Sequence, residues 1–338
     1  MHNFSLLIID WYRQNKRSLP WRLTSDPYKI WLSEIILQQT RVDQGMAYYE
    51  KFTKNYPNVD ELANASEQNI LNDWQGLGYY SRARNLHFSA KLIQSEYASE
   101  FPNTYDEILK LKGVGKYTAA AIASFAFNEK KAVVDGNVYR FLSRAFNIDT
   151  PIDSTVGQKE FQFLADELIS EKNPADHNQA MMEIGALICT PNQPNCLECP
   201  VAELCEARLK NKINDLPVKS KKTKVRNRYF HFQIFLSENQ TILEQRTQKD
   251  IWQQMYQFPL FESESIHNEP ITNLNKVSKS EPIIHKLSHQ HIHAVFHIYD
   301  GIPKNRGKNQ YKISISEIQD YPLPRIIDRY LDENSLVL

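Results

Sequence analysis

No apolar run in this chain approaches the ~18 residues needed to cross a bilayer, so no membrane-spanning helix is expected. Charge of one sign is not in excess either. With 40 basic and 40 acidic side chains the formal net charge is zero, and global electrostatics gives no argument for a polyanionic partner. The opening MHNFSLLIIDWYRQNKRSLPW lacks a basic leading segment and a small-residue cleavage site, so it is not expected to be a signal peptide. It reads as an amphipathic helix with Phe4, Leu7, Ile8, Trp11 and Tyr12 on one face. There is no internal repeat and no adjacent Glu–Glu pair. Composition, 41% hydrophobic and 24% charged, is that of an ordinary globular protein, and 338 residues suggest two domains. A cytoplasmic monomer is expected.

Cysteine is absent except in one place. Cys189, Cys196, Cys199 and Cys205 lie within seventeen residues, spaced C-x6-C-x2-C-x5-C. Four thiolates on a short loop-rich segment are what an iron–sulfur cluster or a structural zinc needs. Zinc ribbons usually present two CxxC pairs and only one occurs here, which favours a 4Fe–4S cluster. Reduced cysteines place the chain in a reducing compartment. A chain of this length can build a core without disulfide staples.

Two halves of different character follow from the apolar periods. Residues 1–210 are mostly helical in pattern: WLSEIILQQTRV, SEQNILNDW, RNLHFSAKLIQSEY, TYDEILKL, KYTAAAIASFAF, QKEFQFLADELI and NQAMMEIGALIC. Thr104 and Glu107 fit a capping box. Residues 211–228 read as a basic linker, a solvated tether or a phosphate contact; from Lys210 to Arg228 there are eight Lys or Arg and one Asp. Residues 229–338 read as α+β. Phe230, Phe232, Ile234 and Leu236 alternate with polar residues, as do Ile292, Ala294, Phe296 and Ile298, which indicates half-buried strands. A closing helix is expected near Arg325–Leu331, and the polar stretch 262–282 is expected to be a long loop.

Chemistry-bearing residues gather around LKGVGKYTA, residues 111–119. Gly113 and Gly115 permit a tight turn and close backbone approach. The helix that follows points free N–H groups outward, which suits a phosphate. This is a helix–hairpin–helix arrangement, expected over about 104–127. Further on, Asp135 follows two valines and precedes Gly136. It is a rigid, partly desolvated carboxylate, a helix N-cap, or both.

Hairpin, Asp135 loop and the cysteine loop at 189–205 together resemble the helix–hairpin–helix DNA glycosylase superfamily, in its iron–sulfur branch. PWR at Pro20–Arg22, WLSEIILQQTRV at 31–42 and GLGYYSRARNLH at 76–87 resemble the MutY-type adenine DNA glycosylases within it, and the likeness extends over nearly the whole chain. The fold so implied is a mainly α glycosylase domain with an iron–sulfur cluster loop, followed by an α+β Nudix-like domain at 229–338. The implied activity is excision of adenine mispaired with 8-oxoguanine, or with guanine, in double-stranded DNA.

Hydrolysing a purine N-glycosidic bond requires protonating the base and stabilising an oxocarbenium-like cation, the logic of two carboxylates flanking a glycosidic bond. By resemblance Glu34 is the general acid acting at adenine N7 and Asp135 the second carboxylate, with Tyr117 and Asn137 as polar partners. From the residues alone Glu34 reads as solvent-facing. It lies on a helix beside Trp31, Leu32, Ile35 and Ile36, an apolar setting able to raise a carboxyl pKa, and the resemblance is what implies the inward, acid role. Tyr117 stands where endonuclease III carries its Schiff-base lysine, which implies a monofunctional enzyme, although Lys116 is adjacent. Gln38 and Tyr79 match positions that wedge into the duplex, as base flipping requires. Arg22 and Gln179 match positions that read the flipped adenine. Arg82 and Arg84 suit backbone phosphates or solvent.

In the second domain KLSHQH, 286–291, resembles the family loop that places Ser288 and His289 against 8-oxoguanine, with Leu287 replacing an aromatic. Without a Glu–Glu pair no Nudix pyrophosphatase is expected. Five of the ten histidines lie between His285 and His297, and His291, His293 and His297 share a strand face, so a zinc site is conceivable beside the DNA- or solvent-facing reading. Two other functions compete: an endonuclease III-like or thymine-mismatch glycosylase, and a non-catalytic iron–sulfur DNA-binding protein.

Overall fold

The computed structural model describes residues 2–220, 225–287 and 289–334. The chain divides into two compact units, Met1–Asn64 with Asn85–Lys221, and Ala65–Arg84 with Lys222–Leu338. No helix among the described residues is long and apolar enough to cross a membrane.

Helices build the first unit, beginning with α1 (His2–Asn15). At the start of α2 (Pro27–Ile36), the Asp26 carboxylate accepts from the Tyr28 N–H at 3.0 Å, and Pro27 fills a position where no N–H is needed. Ile30, Trp31, Leu32, Ile35 and Ile36 are each at most 2% exposed, so α2 is buried nearly all round. The run expected as one helix through Val42 breaks at Ile36. Gln39 takes a φ of 59°, which ends helical propagation, and α3 (Val42–Asn55) starts afresh. After α4 (Val59–Asn64), α5 (Glu67–Asp73) and the first turn of α6 (Ser81–Glu96) group with the second unit.

The first unit resumes in α6 and continues through α7 (Tyr105–Ile108), α8 (Lys116–Phe127), α9 (Gly136–Ala145), α10 (Thr155–Leu168), α11 (Pro174–Leu187) and α12 (Glu206–Leu209). Thr104 Oγ1 accepts from the Glu107 N–H at 3.4 Å, but the expected capping box is only half formed. The Glu107 carboxylate is taken instead by the Tyr97 hydroxyl at 2.7 Å and Lys110 at 2.5 Å. Ile8, Tyr12, Phe141, Leu142, Phe161 and Ile184 bring α1, α9, α10 and α11 into one core.

In the second unit the strands are β1 (Arg226–Leu236), β2 (Gln240–Gln245), β3 (Tyr256–Gln257), β4 (Leu260–Ser263), β5 (Asn275–Lys279), β6 (Ile283–Lys286), β7 (Gln290–Asp300) and β8 (Gln310–Ser314), closed by α13 (Arg325–Glu333). They form a sheet of order β4-β1-β7-β5, with β6 also on β7, and a smaller sheet β3-β2-β8. The two alternating segments are neighbours: β1 and β7 pair in parallel, Phe230 opposite Ala294 and Phe232 opposite Phe296. Their apolar residues share a core with Ile326, Ile327 and Tyr330 of α13, where the Tyr330 ring stacks on Phe296 at 3.7 Å.

The stretch 262–282, expected to be a loop, contains β5. All five of its residues are exposed, so pairing to β7 rather than burial makes it a strand, and a solvated edge strand carries no alternating pattern. Segment 65–84 joins this unit through polar contacts. Gln68 and Asn72 donate to the Asp320 carbonyl at 3.0 and 2.9 Å, Gln75 to the Asp328 carboxylate at 3.1 Å, and Arg84 to the Gln253 carbonyl at 2.5 Å.

The basic stretch 211–228 is held at both ends. Val218 O accepts from the Ile152 N–H at 3.0 Å, and Ser220 donates to Asp153. Arg228 lies in β1, nearly buried, paired with Asp250 at 2.8 Å and Glu262 at 2.7 Å. Arg228 itself is therefore spent on two carboxylates rather than on a phosphate.

Candidate active site

Glu34 from α2, Tyr117 from α8, and Asp135 and Asn137 from the start of α9 line one cavity of about 970 Å³ in the first unit. Arg22, Gln38 and Gln179 line it too. The Glu34 side chain is buried because α2 has no solvent face at this turn. Burial raises its carboxyl, the Tyr117 hydrogen bond lowers it, and the charges of Asp135 and Arg22 raise and lower it in turn; the balance is pushed up to about 7. The group therefore holds a proton near neutral pH. Burial also moves the Tyr117 hydroxyl well above its usual value, reinforced by the charges of Glu34 and Asp135, so it stays a neutral donor.

Asp135 is both the cap and the second carboxylate. One oxygen accepts from the Val138 N–H at 2.8 Å and the other from Asn137 Nδ2 at 2.9 Å. Burial raises its pKa, opposed by these N–H donors and by the charge of Arg140. Asn137 is itself oriented by Arg140, whose guanidinium donates to Asn137 Oδ1 at 2.9 Å, Gly185 O at 2.6 Å and Cys189 O at 2.7 Å. Gln179 accepts from the Tyr12 hydroxyl at 2.7 Å, and Gln38 donates to Thr118 at 3.2 Å from the turn that ends α2.

Among the residues of this cavity that the sequence reasoning did not single out are Arg41, Arg140 and Glu183. Glu183 is fully buried, and Arg22 meets it with two hydrogen bonds at 2.7 and 2.8 Å, while Arg17 adds more. Burial alone would raise the Glu183 carboxyl, but the Arg22 and Arg17 hydrogen bonds outweigh it and hold it at about 2. Arg22 thus reaches the cavity already paired to an anion. Arg41 is exposed and has no carboxylate partner among the described residues. Helical spacing in MMEIGA could have flagged Glu183 as an acid on a buried helix; nothing in the sequence links it to Arg22.

The hairpin lies at 111–115. Gly113 has a φ of 82°, and a Cβ there would come within 2.7 Å of Asn85, so only glycine fits. Gly115 is the N-cap of α8, with open space where a side chain would be. Lys116 is exposed and lines a different cavity, one that includes Lys130 and Lys159, rather than the one holding Glu34 and Asp135.

All four cysteines are free thiols around a second small cavity. Arg144, almost fully buried, fastens their loop: it donates to Thr190 O at 2.7 Å, Pro191 O at 2.9 Å and Leu216 O at 3.0 Å, and lies 3.5 Å from Cys189 Sγ. Burial pushes the Cys199 thiol up to about 12 and raises Cys189 and Cys205. Buried thiols of this kind become thiolates only beside a positive centre. Among the described residues no three His, Cys, Asp or Glu side chains are grouped as a single-ion site.

In the second unit Tyr79 is 45% exposed with a φ of 49°. Arg82 beneath it is buried, donating to Leu77 O and Gly78 O and lying 5.1 Å from the Trp74 ring. It braces the Tyr79 loop, contrary to both expectations for it, and Arg84 is likewise spent on Gln253. His289 is exposed where β6 turns into β7, a turn closed by Leu287 N–H donating to Gln290 O at 2.8 Å; Ser288 lies outside the described residues. The conceivable zinc site at His291, His293 and His297 is not formed. His297 is buried against His231, ring nitrogens 3.0 Å apart, and His293 bonds Asn227 at 3.1 Å.

Residues 32–164, which hold Glu34, the hairpin and Asp135, match the HhH-GPD superfamily of base excision DNA repair proteins; residues 231–333 match the NUDIX domain. The molecule is therefore a helix–hairpin–helix base-excision fold joined to a NUDIX domain. The adenine DNA glycosylase of Buchnera aphidicola subsp. Acyrthosiphon pisum is 32% identical over 97% of this chain and 97% of its own length. That of subsp. Baizongia pistaciae is 38% identical over 85% and 83%, and the human one 42% identical over 60% and 38%. The chain belongs to the adenine DNA glycosylase family. Among solved structures, a thermostable thymine-DNA glycosylase aligns at TM-score 0.57 with 32% identity, covering 61% of this chain and 95% of that one. An endonuclease III–DNA complex aligns at 0.52 with 20% identity, covering 62% and 96%, a likeness of fold.

Proposed function

We propose that this chain is a monofunctional adenine DNA N-glycosylase, acting as a cytoplasmic monomer on A:8-oxoguanine and A:G mispairs in duplex DNA and leaving an abasic site. The observation that carries the reading is a carboxyl held at about 7 by burial, in the same cavity as a second carboxylate. Glu34 gives its proton to adenine N7, and the N9–C1′ bond breaks with its electrons going to the base. Asp135, fixed by the α9 N–H and Asn137, offsets the positive charge developing on the sugar. Water adds to C1′ and returns a proton to Glu34.

Adenine rather than thymine as the excised base is supported by the relatives matched over most of this chain, which are adenine DNA glycosylases. Glu183, fully buried and taken up by Arg17 and Arg22, holds Arg22 in place at the cavity wall. A non-catalytic role would leave the buried Glu34 as an uncompensated cost to folding.

The cysteine cavity suits a 4Fe–4S cluster: four thiols surround it and none is in a disulfide. Cys189, Cys196, Cys199 and Cys205 would hold it. Hydrolysis moves no net electrons, so a cluster held there would supply structure to the loop that Arg144 and Arg140 also grip. The likeness of KLSHQH to the family loop supports Ser288 and His289 as the residues that meet the 8-oxoguanine, and His289 is exposed. Single-turnover excision from A:8-oxoguanine and T:G duplexes tests the reading. Release of adenine is expected; release of thymine alone would overturn it.

A further inference from the structure

One face of α6 carries the DNA-gripping hairpin. Asn85, Phe88 and Ser89 are spaced i, i+3 and i+4, and all three meet residues 112–113. Asn85 packs beneath Gly113, which has no room for a Cβ. Ser89 Oγ donates to Lys112 O at 3.0 Å. Phe88, a half-exposed aromatic, lies with its ring 4.4 Å from the Lys112 ammonium. Leu86, Ala90 and Ile93 turn the rest of α6 into the core, whereas the exposed Phe88 ring is occupied by the lysine.

Of the neighbouring lysines, Lys110 is neutralised by Glu107. Lys112 is exposed and has no carboxylate partner among the described residues. A cation over an aromatic face is held in place without losing its charge. A carboxylate partner would fix the ammonium equally well but cancel the field it presents to a phosphate. We infer that Phe88 is a positioning residue for DNA binding: its ring holds the Lys112 ammonium, still charged, for a backbone phosphate at the hairpin. The inference rests on the proposed action on duplex DNA, with the hairpin as a contact to its backbone.

Affinity of the full-length protein for an A:8-oxoguanine duplex, measured across a salt series, tests it. Lys112→Gln should weaken binding and make the slope of log K against log salt shallower by about 0.9, the loss of one phosphate contact. Phe88→Leu keeps apolar bulk and loses the ring, and should weaken binding roughly two- to fivefold, the worth of an exposed cation–π contact. Phe88→Tyr should restore it. In the Lys112→Gln background Phe88→Leu should have no further effect, because there is no ammonium left to hold. An equal loss in both backgrounds would show that Phe88 acts on its own and overturn the inference. Lys112→Gln with unaltered affinity and slope would overturn it while leaving the glycosylase reading intact. Failure of the unsubstituted chain to bind duplex would overturn both.

Discussion

Replacing Tyr117 by phenylalanine removes the hydroxyl that bonds the Glu34 carboxyl and leaves the ring packed beside Ala120 and Val133. Glu34 stands at about 7 because burial raises it and this hydrogen bond, the largest opposing influence, lowers it. A hydrogen bond to a charged group contributes about 1.5–3 kcal/mol, and one pKa unit is about 1.4 kcal/mol. Losing the bond therefore raises Glu34 by about one to two units. The hydroxyl also serves the protonated acid, so about one unit is the expected outcome. Since the acid must be protonated to act, excision by the unmodified chain should decline as pH rises through about 7. In Tyr117→Phe that decline should move upward, to about pH 8, whatever happens to the maximal rate. Single-turnover excision on an A:8-oxoguanine duplex at saturating protein, from about pH 6 to 9, reads the midpoint directly. A midpoint that stays in place or moves downward refutes the reasoning, because the tyrosine would then not be holding the acid's pKa down.

Glu34→Gln should bind the mispair yet excise adenine several orders of magnitude more slowly in single-turnover assays. The same change should stabilise the fold in alkaline buffer. A carboxyl raised from 4.5 to about 7 loses folded-state stability as pH climbs through that interval, up to about 3 kcal/mol at pH 8 and nothing below about pH 4.5, so denaturant midpoints of the two chains should diverge only above it. Protein purified anaerobically should be yellow-brown with about four irons per chain, and stoichiometric zinc without iron would refute the cluster. His289→Ala in the full-length chain should reduce the preference for 8-oxoguanine over guanine by roughly tenfold, a lost polar contact being worth ~1–3 kcal/mol. The substitution is a cleaner test than truncation after Leu216, which would also strip Asp320, Asp328 and Gln253 from segment 65–84.

Local signals were legible from the residues alone. Asp135 before Gly136 announced a cap, and a cap is what it is, because its carboxylate and the orphan N–H of Val138 are three residues apart. Gly113 marked a left-handed turn for the same short-range reason, and the two alternating segments marked strands whose apolar faces needed covering. The four cysteines needed no fold to be read together. Where a segment had no buried face, as in β5, composition hid the strand. Where it was buried all round, as in α2, the apolar period could not say which way Glu34 pointed.

Everything that depends on partners distant in sequence was decided by the tertiary structure. Arg22 and Glu183 are 161 residues apart, and only packing made one carboxylate strongly acidic while leaving Glu34 able to keep a proton. The sequence by itself determined that two carboxylates, a glycine hairpin and a cysteine loop belong to one protein, because turns, caps and periods arise from neighbours along the backbone. Only the tertiary structure decided that the carboxylates share a cavity, that Arg82 is a brace, and that segment 65–84 sides with the strands. A pKa, an ion pair and a burial are set by what surrounds a group in space, and no neighbour along the chain carries that information.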